Sequence, residues 1–193
     1  MKSAMHRWCG RVGAGVVAAA AWGAVAAAPA AAESMFEAGT WALSLTGGYA
    51  VPITNDEEYY GSVAVAPAYY FADRMAVVPQ LRGLFVDTEF SDTIGLDFTL
   101  SVRAHLYRDD RWSFYVQAGP GLSYFDHRIP PPEGTRFNFV LTVGAGVTYR
   151  IAHATHLVLG VDVLHYSNGG IQGSDRHRGS NALSGVVGLL WTF

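Results

Sequence analysis

His165 and Ser167 stand two residues apart in the run Val161-Asp162-Val163-Leu164-His165-Tyr166-Ser167-Asn168-Gly169-Gly170. On an extended strand, side chains two apart leave the same face. A serine hydroxyl beside an imidazole becomes a nucleophile when the imidazole takes its proton during attack. Leu157, Leu159, Val161 and Val163 precede the pair in the same phase, so the two polar groups close an apolar row. A histidine there has no packing reason for its place, and the medium that the row faces decides what the pair can reach.

Such a pair needs a third group to orient the imidazole and steady its positive charge. The final segment carries Phe193, Trp191, Leu189, Val187, Gly185 and Leu183 in one phase. That phase extends back to Asn181, which predicts Asn181 on the same surface of the neighbouring strand.

The elements that must hold these residues are strands. From Trp41, the odd positions Trp41, Leu43, Leu45, Tyr49 and Val51 are apolar, and the even ones Ala42, Ser44, Thr46 and Ala50 are small or polar. Val63, Val65, Pro67, Tyr69 and Phe71 repeat the pattern, and Val77, Pro79, Leu81 and Phe85 repeat it less cleanly. In a fourth run Ile94, Leu96, Phe98, Leu100 and Val102 alternate with Gly95, Asp97, Thr99, Ser101, Arg103 and His105. Trp112–Phe125, Phe137–Ile151, Leu157–Ser167 and Asn181–Phe193 bring the strands to eight. No window after residue 32 holds 18 consecutive apolar residues, which argues against a transmembrane helix.

An inner face bearing Asp97, Arg103, His105 and Asp162 requires a hydrogen-bonded interior, with the apolar face turned to lipid. Eight strands of about ten residues or more, tilted by about 40°, cross a hydrocarbon band of about 25 Å. The connections at 72–74, 108–111 and 152–156 are short; those at 52–58, 87–93, 126–136 and 168–180 are mostly longer. Short turns belong in the periplasm and long loops outside. Trp41, Tyr69, Phe71, Trp112, Phe114, Tyr149, Trp191 and Phe193 then form an inner aromatic girdle. Tyr49, Tyr59, Tyr60, Phe85, Tyr124, Phe137 and Phe139 form an outer one. The fold expected is all-β, an eight-stranded antiparallel transmembrane β-barrel over residues 33–193, in the cell outer membrane.

Residues 1–32 read as a cleavable signal peptide. Lys2, Arg7 and Arg11 precede an Ala/Val-rich stretch, and Ala30-Ala31-Ala32 stand before Glu33. This segment holds the chain's lone cysteine, Cys9, so no disulfide is expected in the mature protein. It also holds three of the 13 basic side chains and none of the 16 acids, which takes the formal charge from −3 to −6 on cleavage. No nucleic-acid partner is expected at that charge.

On this barrel His165 and Ser167 face lipid at the outer end of their strand, where they meet the acyl esters of lipopolysaccharide. The chain resembles the outer-membrane lipid A 3-O-deacylases, or acyloxyacyl hydrolases. Their His-x-Ser-Asn motif, small residues, turn and aromatic C-terminus correspond to His165-Tyr166-Ser167-Asn168-Gly169-Gly170, Arg178-Gly179-Ser180-Asn181 and Gly188-Leu189-Leu190-Trp191-Thr192-Phe193. The motif match spans about the last 30 residues; the other strands match in architecture only. The resemblance implies a serine esterase acting on lipid A, with Ser167 as nucleophile, His165 as general base, and Asn168 and Gly170 as oxyanion donors. The best-known members carry an acid where this chain has Asn181, so the third role falls to an amide, or to Asp175, the acid of the 168–180 loop.

No cofactor or metal is expected. His153 and His156 read as solvated turn residues and lack a third ligand nearby, and no carboxylate cluster near the motif is spaced for calcium. The competing reading is a non-catalytic outer-membrane barrel with an adhesion or structural role. A pore is disfavoured, because eight strands enclose a space that side chains fill.

Overall fold

The computed structural model describes residues 35–53, 58–88, 92–132, 134–171, 173 and 179–193. The expected signal peptide, 1–32, and Asp175 lie outside the described residues. The strands follow chain order: β1 (Trp41–Pro52), β2 (Tyr59–Ala72), β3 (Met75–Asp87), β4 (Thr93–Arg108), β5 (Trp112–Ile129), β6 (Thr135–Ala152), β7 (Thr155–Ser167) and β8 (Ser180–Thr192). Each pairs antiparallel with the next, and β8 returns to β1 with Gly47 opposite Val187, which closes the barrel. Closure leaves no unpaired edge for lipid to face.

The two faces divide as the alternation predicts. Along β4, Leu96, Phe98 and Leu100 are about half exposed, whereas Asp97 is 0% and Arg103 5% exposed. Apolar outside and charged inside suits a barrel surrounded by lipid.

The interior is tied together at its middle. Asp97 accepts hydrogen bonds from Ser123 Oγ at 2.5 Å and Tyr166 Oη at 2.8 Å, and lies 4.0 Å from Arg82 Nη1. Arg103 donates twice to Gln117 Oε1, at 3.1 and 2.8 Å, and its guanidinium lies 4.5 Å from the Tyr115 ring centre. Gln117 Nε2 in turn donates to Asp162 Oδ1 at 3.2 Å. Removing one member of a buried pair strands the other charge, a loss of about 3–5 kcal/mol. Asp97→Ala is therefore expected to lower the temperature at which the compact gel band converts to the unfolded one.

Apolar layers flank this network, an arrangement that the alternation did not predict. Tyr60, Leu84, Val86, Phe125, Val140 and Leu164 fill one end, and Phe36, Tyr70, Val78, Tyr115, Val158 and Leu190 the other. A closed eight-stranded barrel is just wide enough for side chains to fill, so these inner positions near its ends supply volume.

Three expectations are corrected in detail, and the segment before β1 adds a feature that the alternation did not predict. Tyr60 is 1% exposed inside the barrel and takes no part in the outer girdle. His156 belongs to β7 and is buried within 5.4 Å of the Phe36 ring centre, away from the turn. The third outer loop is largely strand, because β5 reaches Ile129, β6 begins at Thr135, and Gly134 N donates to Pro130 O at 2.7 Å across the turn. Lastly, the residues before β1 enter the barrel mouth. Phe36 is fully buried, stacks on His105 with ring centres 4.0 Å apart, and sits at φ 65°. Its carbonyl accepts Arg74 N at 2.8 Å, and Arg108 Nη1 donates to the Met35 carbonyl. This end carries the short turns, so the plug closes the periplasmic opening.

Candidate active site

β7 and β8 are both read outward in their odd positions, and their register sets His165 directly opposite Asn181. His165 Nδ1 and Asn181 Oδ1 lie 2.7 Å apart. An amide oxygen only accepts, so Nδ1 carries the proton of this contact, and a neutral ring then has its lone pair on Nε2, the tautomer that a general base requires. Both side chains are half-buried. Ile53 N donates to Asn181 O at 2.9 Å, so the end of β1 supports the rung from its far side.

Ser167 leaves the same surface one step farther out, opposite Phe139 of β6, while Leu141 stands opposite His165. Phe137 meets Phe139 edge-on with ring centres 5.6 Å apart. The pair is thus walled by apolar side chains on the β6 side.

Directly after Ser167 the backbone turns through left-handed conformations, with φ 60° at Gly169 and 76° at Gly170. A Cβ on Gly169 would come within 3.0 Å of the Phe139 ring, so glycine is needed there for space as well as for φ. The two expected oxyanion donors are bonded to each other: Gly170 N donates to Asn168 Oδ1 at 2.8 Å, and the Asn168 side chain is buried. The amide directed at the Ser167 hydroxyl is that of Gly169, at 3.4 Å. Sequence reasoning passed over Gly169, although the Gly-Gly pair was its signal.

Gly179 was also missed. A Cβ there would lie 3.0 Å from His165 Cε1 and 3.7 Å from Nε2, so the backbone entering β8 runs over the reactive edge of the ring. Below the pair, toward the membrane centre, a surface groove of about 710 Å³ is lined by Gly47, Tyr49, Ala145, Val161, Gly185 and Val187, among others. Val161 lies four residues from His165, roughly 13 Å along the strand. Among the described residues, no group of three or more His, Cys, Asp or Glu side chains gathers as a metal site.

Residues 6–189 match the family model described as lipid A 3-O-deacylase (PagL). The chain belongs to this family. Among solved structures, the outer-membrane enzyme PagL is similar at 15% identity and TM-score 0.56, over 78% of this chain and 98% of that one. OprG of Pseudomonas aeruginosa is similar at 13% identity and TM-score 0.53, over 81% and 97%. The N-terminal barrel of OprF from the same organism is similar at 16% identity and TM-score 0.52, over 81% and 98%. At these identities the structural likenesses speak for the barrel alone, and membership of the PagL family rests on the sequence match. No curated protein matches the chain. As a PagL-family barrel, the protein resides in the outer membrane, and its His165–Asn181 rung lies at the extracellular end.

Proposed function

We propose that the protein is a lipid A 3-O-deacylase, an esterase that removes an ester-linked 3-hydroxyacyl chain from lipid A in the outer leaflet. The observation that carries this reading is the 2.7 Å contact between His165 Nδ1 and Asn181 Oδ1 on the lipid-facing surface beside Ser167. A soluble hydrolase would have to lift the ester out of the membrane, whereas a pair on the lipid-facing surface at the outer strand end would meet it there.

Ser167 Oγ attacks the acyl carbonyl as its proton passes to His165 Nε2. The carbonyl oxygen gains negative charge, and the Gly169 amide, which the turn directs at Ser167, is the donor placed to meet it. The bond between the acyl carbon and the 3-oxygen of the sugar then breaks, and the departing oxygen takes the proton from His165. Water, deprotonated by His165, splits the acyl-serine and frees a 3-hydroxy fatty acid. The apolar groove below the pair suits the acyl chain, whose methylenes remain at the depth they occupy in the bilayer.

Mass spectrometry of lipid A from lipopolysaccharide-producing cells tests the reading. Expression is expected to remove one hydroxyacyl chain per lipid A. Unaltered lipid A would favour a non-catalytic barrel with an adhesion or structural role. A second expectation concerns the space over the imidazole: Gly179→Val pushes branched carbons onto His165 and should lower turnover by about 10²-fold, the effect of a misplacement near 1 Å. Fatty-acid release by the purified variant, which should still migrate as a folded barrel, checks it.

A further inference from the structure

The His165–Asn181 rung is the last but one of its ladder. Only Tyr166↔Ser180 lies beyond it before β7 ends and the connection to β8 begins. Strand ends open with the least free energy in a fold, and a general base must keep its geometry within a fraction of an ångström. The outer surface holds this end through Ile53 and the apolar side chains of β6. The inner surface is built differently.

Side chains alternate across the sheet, so Tyr166 and Ser180, the neighbours of His165 and Asn181, point into the barrel. Both end on buried acids. Ser180 Oγ donates to Glu58 Oε2 at 2.7 Å, and Tyr166 Oη donates to Asp97 Oδ2 at 2.8 Å. Tyr60 joins the two halves: its ring stacks on Tyr166 with centres 5.6 Å apart, and its hydroxyl lies 3.3 Å from Ser180 Oγ and 3.4 Å from Glu58 Oε2. Asp97 is already anchored in the central network by Ser123 and Arg82. Glu58 is the unusual member. It is 3% exposed at the start of β2, at the mouth of the barrel, where a turn of its side chain outward would restore hydration. Keeping a carboxyl group out of water there has a cost, and the hydrogen bond from Ser180 is the shortest of the contacts from Ser180 and Tyr60 that offset it.

We infer that Glu58 is a positioning residue for the His165–Asn181 pair, acting through Ser180 to hold the start of β8 against β2 across the barrel interior. This rests on the deacylase reading of the pair. Glu58 touches no substrate; it fixes the backbone from which Asn181 projects.

The test uses full-length barrel in detergent micelles. Glu58→Ala and Ser180→Ala are expected to lower kcat about tenfold with KM changed by less than about twofold, because the loss is of geometry at the base. Glu58→Gln keeps an acceptor for Ser180 Oγ and should recover most of the loss. An independent readout is the imidazole Nδ1–H proton of His165 in histidine-labelled protein, assigned by its absence in His165→Gln. In the wild type it is expected as a hydrogen-bonded, slowly exchanging signal; in both alanine variants it should move upfield and exchange faster. A Glu58→Ala barrel with unchanged kcat and an unchanged His165 signal would overturn the inference, even if its melting temperature fell. Should Glu58→Ala fail to fold, Ser180→Ala decides alone, since it leaves the carboxylate in place and removes only the link. Should the wild type not deacylate lipid A, the proton signal still decides the positioning role, and only the deacylase reading falls.

Discussion

Ser167→Ala is expected to lower lipid A deacylation by about 10⁴-fold or more, and His165→Ala to do the same, with both barrels folded. Neither side chain lies in the barrel interior. Both leave the lipid-facing surface, half-buried, at the end of β7, and the ladder that holds β7 between β6 and β8 uses only their backbones. The double variant should be no worse than either single one, because a nucleophile without its base and a base without its nucleophile are equally idle. Release of 3-hydroxy fatty acid from lipopolysaccharide by purified protein measures the rate, and a heat-dependent shift in gel mobility reports the fold. Wild-type turnover in Ser167→Ala would remove serine from the mechanism. Additive losses in the double variant would mean that the two groups serve separate steps.

The placement of these residues was legible because a barrel strand has one degree of freedom, its phase. Once Leu157, Leu159, Val161 and Val163 are assigned to lipid, His165 and Ser167 must follow, and counting back from Phe193 through Leu183 puts Asn181 outward too. That His165 and Asn181 are direct cross-strand partners is a matter of register, and register follows from the lengths of the connections and the closure of the sheet. Phase alone cannot supply it.

The same principle accounts for two of the errors. Tyr60 shares the even phase of Ser62 and Ala64, so a β2 that begins at Tyr59 carries it inward; reading the strand as starting later left it free to join the girdle. His156 precedes Leu157 in the inward phase of a β7 that begins at Thr155. A strand start that falls short of Tyr59 leaves Tyr60 to the girdle, and one that falls short of Thr155 leaves His156 to the solvated turn. The plug around Phe36 had no such signal. It is too short for a period to register, and it is held by a left-handed residue and by hydrogen bonds from the Arg74 amide and the Arg108 guanidinium that only the closed barrel brings together. The buttress of Glu58, Tyr60 and Ser180 was hidden likewise, since Glu58 and Ser180 are 122 residues apart in sequence.

Replacing Asn181 by an acid is expected to raise the deacylation rate about tenfold, and Asn181→Asp is the cleaner variant because it is isosteric with the amide now 2.7 Å from His165 Nδ1. Asn181 already supplies what a neutral acceptor can: it keeps the proton on Nδ1 and leaves Nε2 to take up the proton of Ser167. The costliest consequence of losing the acid in a serine-protease triad, where an amide lowers turnover by about 10⁴, is the wrong tautomer, and the Asn181 orientation avoids it. What remains is the charge. As Ser167 attacks, the imidazole becomes an imidazolium, and a hydrogen bond to an ionised partner is worth about 1.5–3 kcal/mol against about 0.5–1.5 for a neutral one. A difference near 1.4 kcal/mol is a factor of about ten in rate. Asn181→Ala should act in the opposite direction, by freeing the ring to rotate and to exchange tautomers. The rival for the third position is Asp175 in the connection between β7 and β8. It can serve only by displacing Asn181 from Nδ1, because a ring nitrogen has one proton to donate. If Asn181 is the third member, Asp175→Ala retains the wild-type rate and Asn181→Asp exceeds it. If Asp175 is, Asp175→Ala abolishes turnover and Asn181→Asp changes little. Lipid A mass spectra from the two variants, recorded at equal expression, separate these outcomes. An unchanged rate in both would leave the imidazolium stabilised by neither residue.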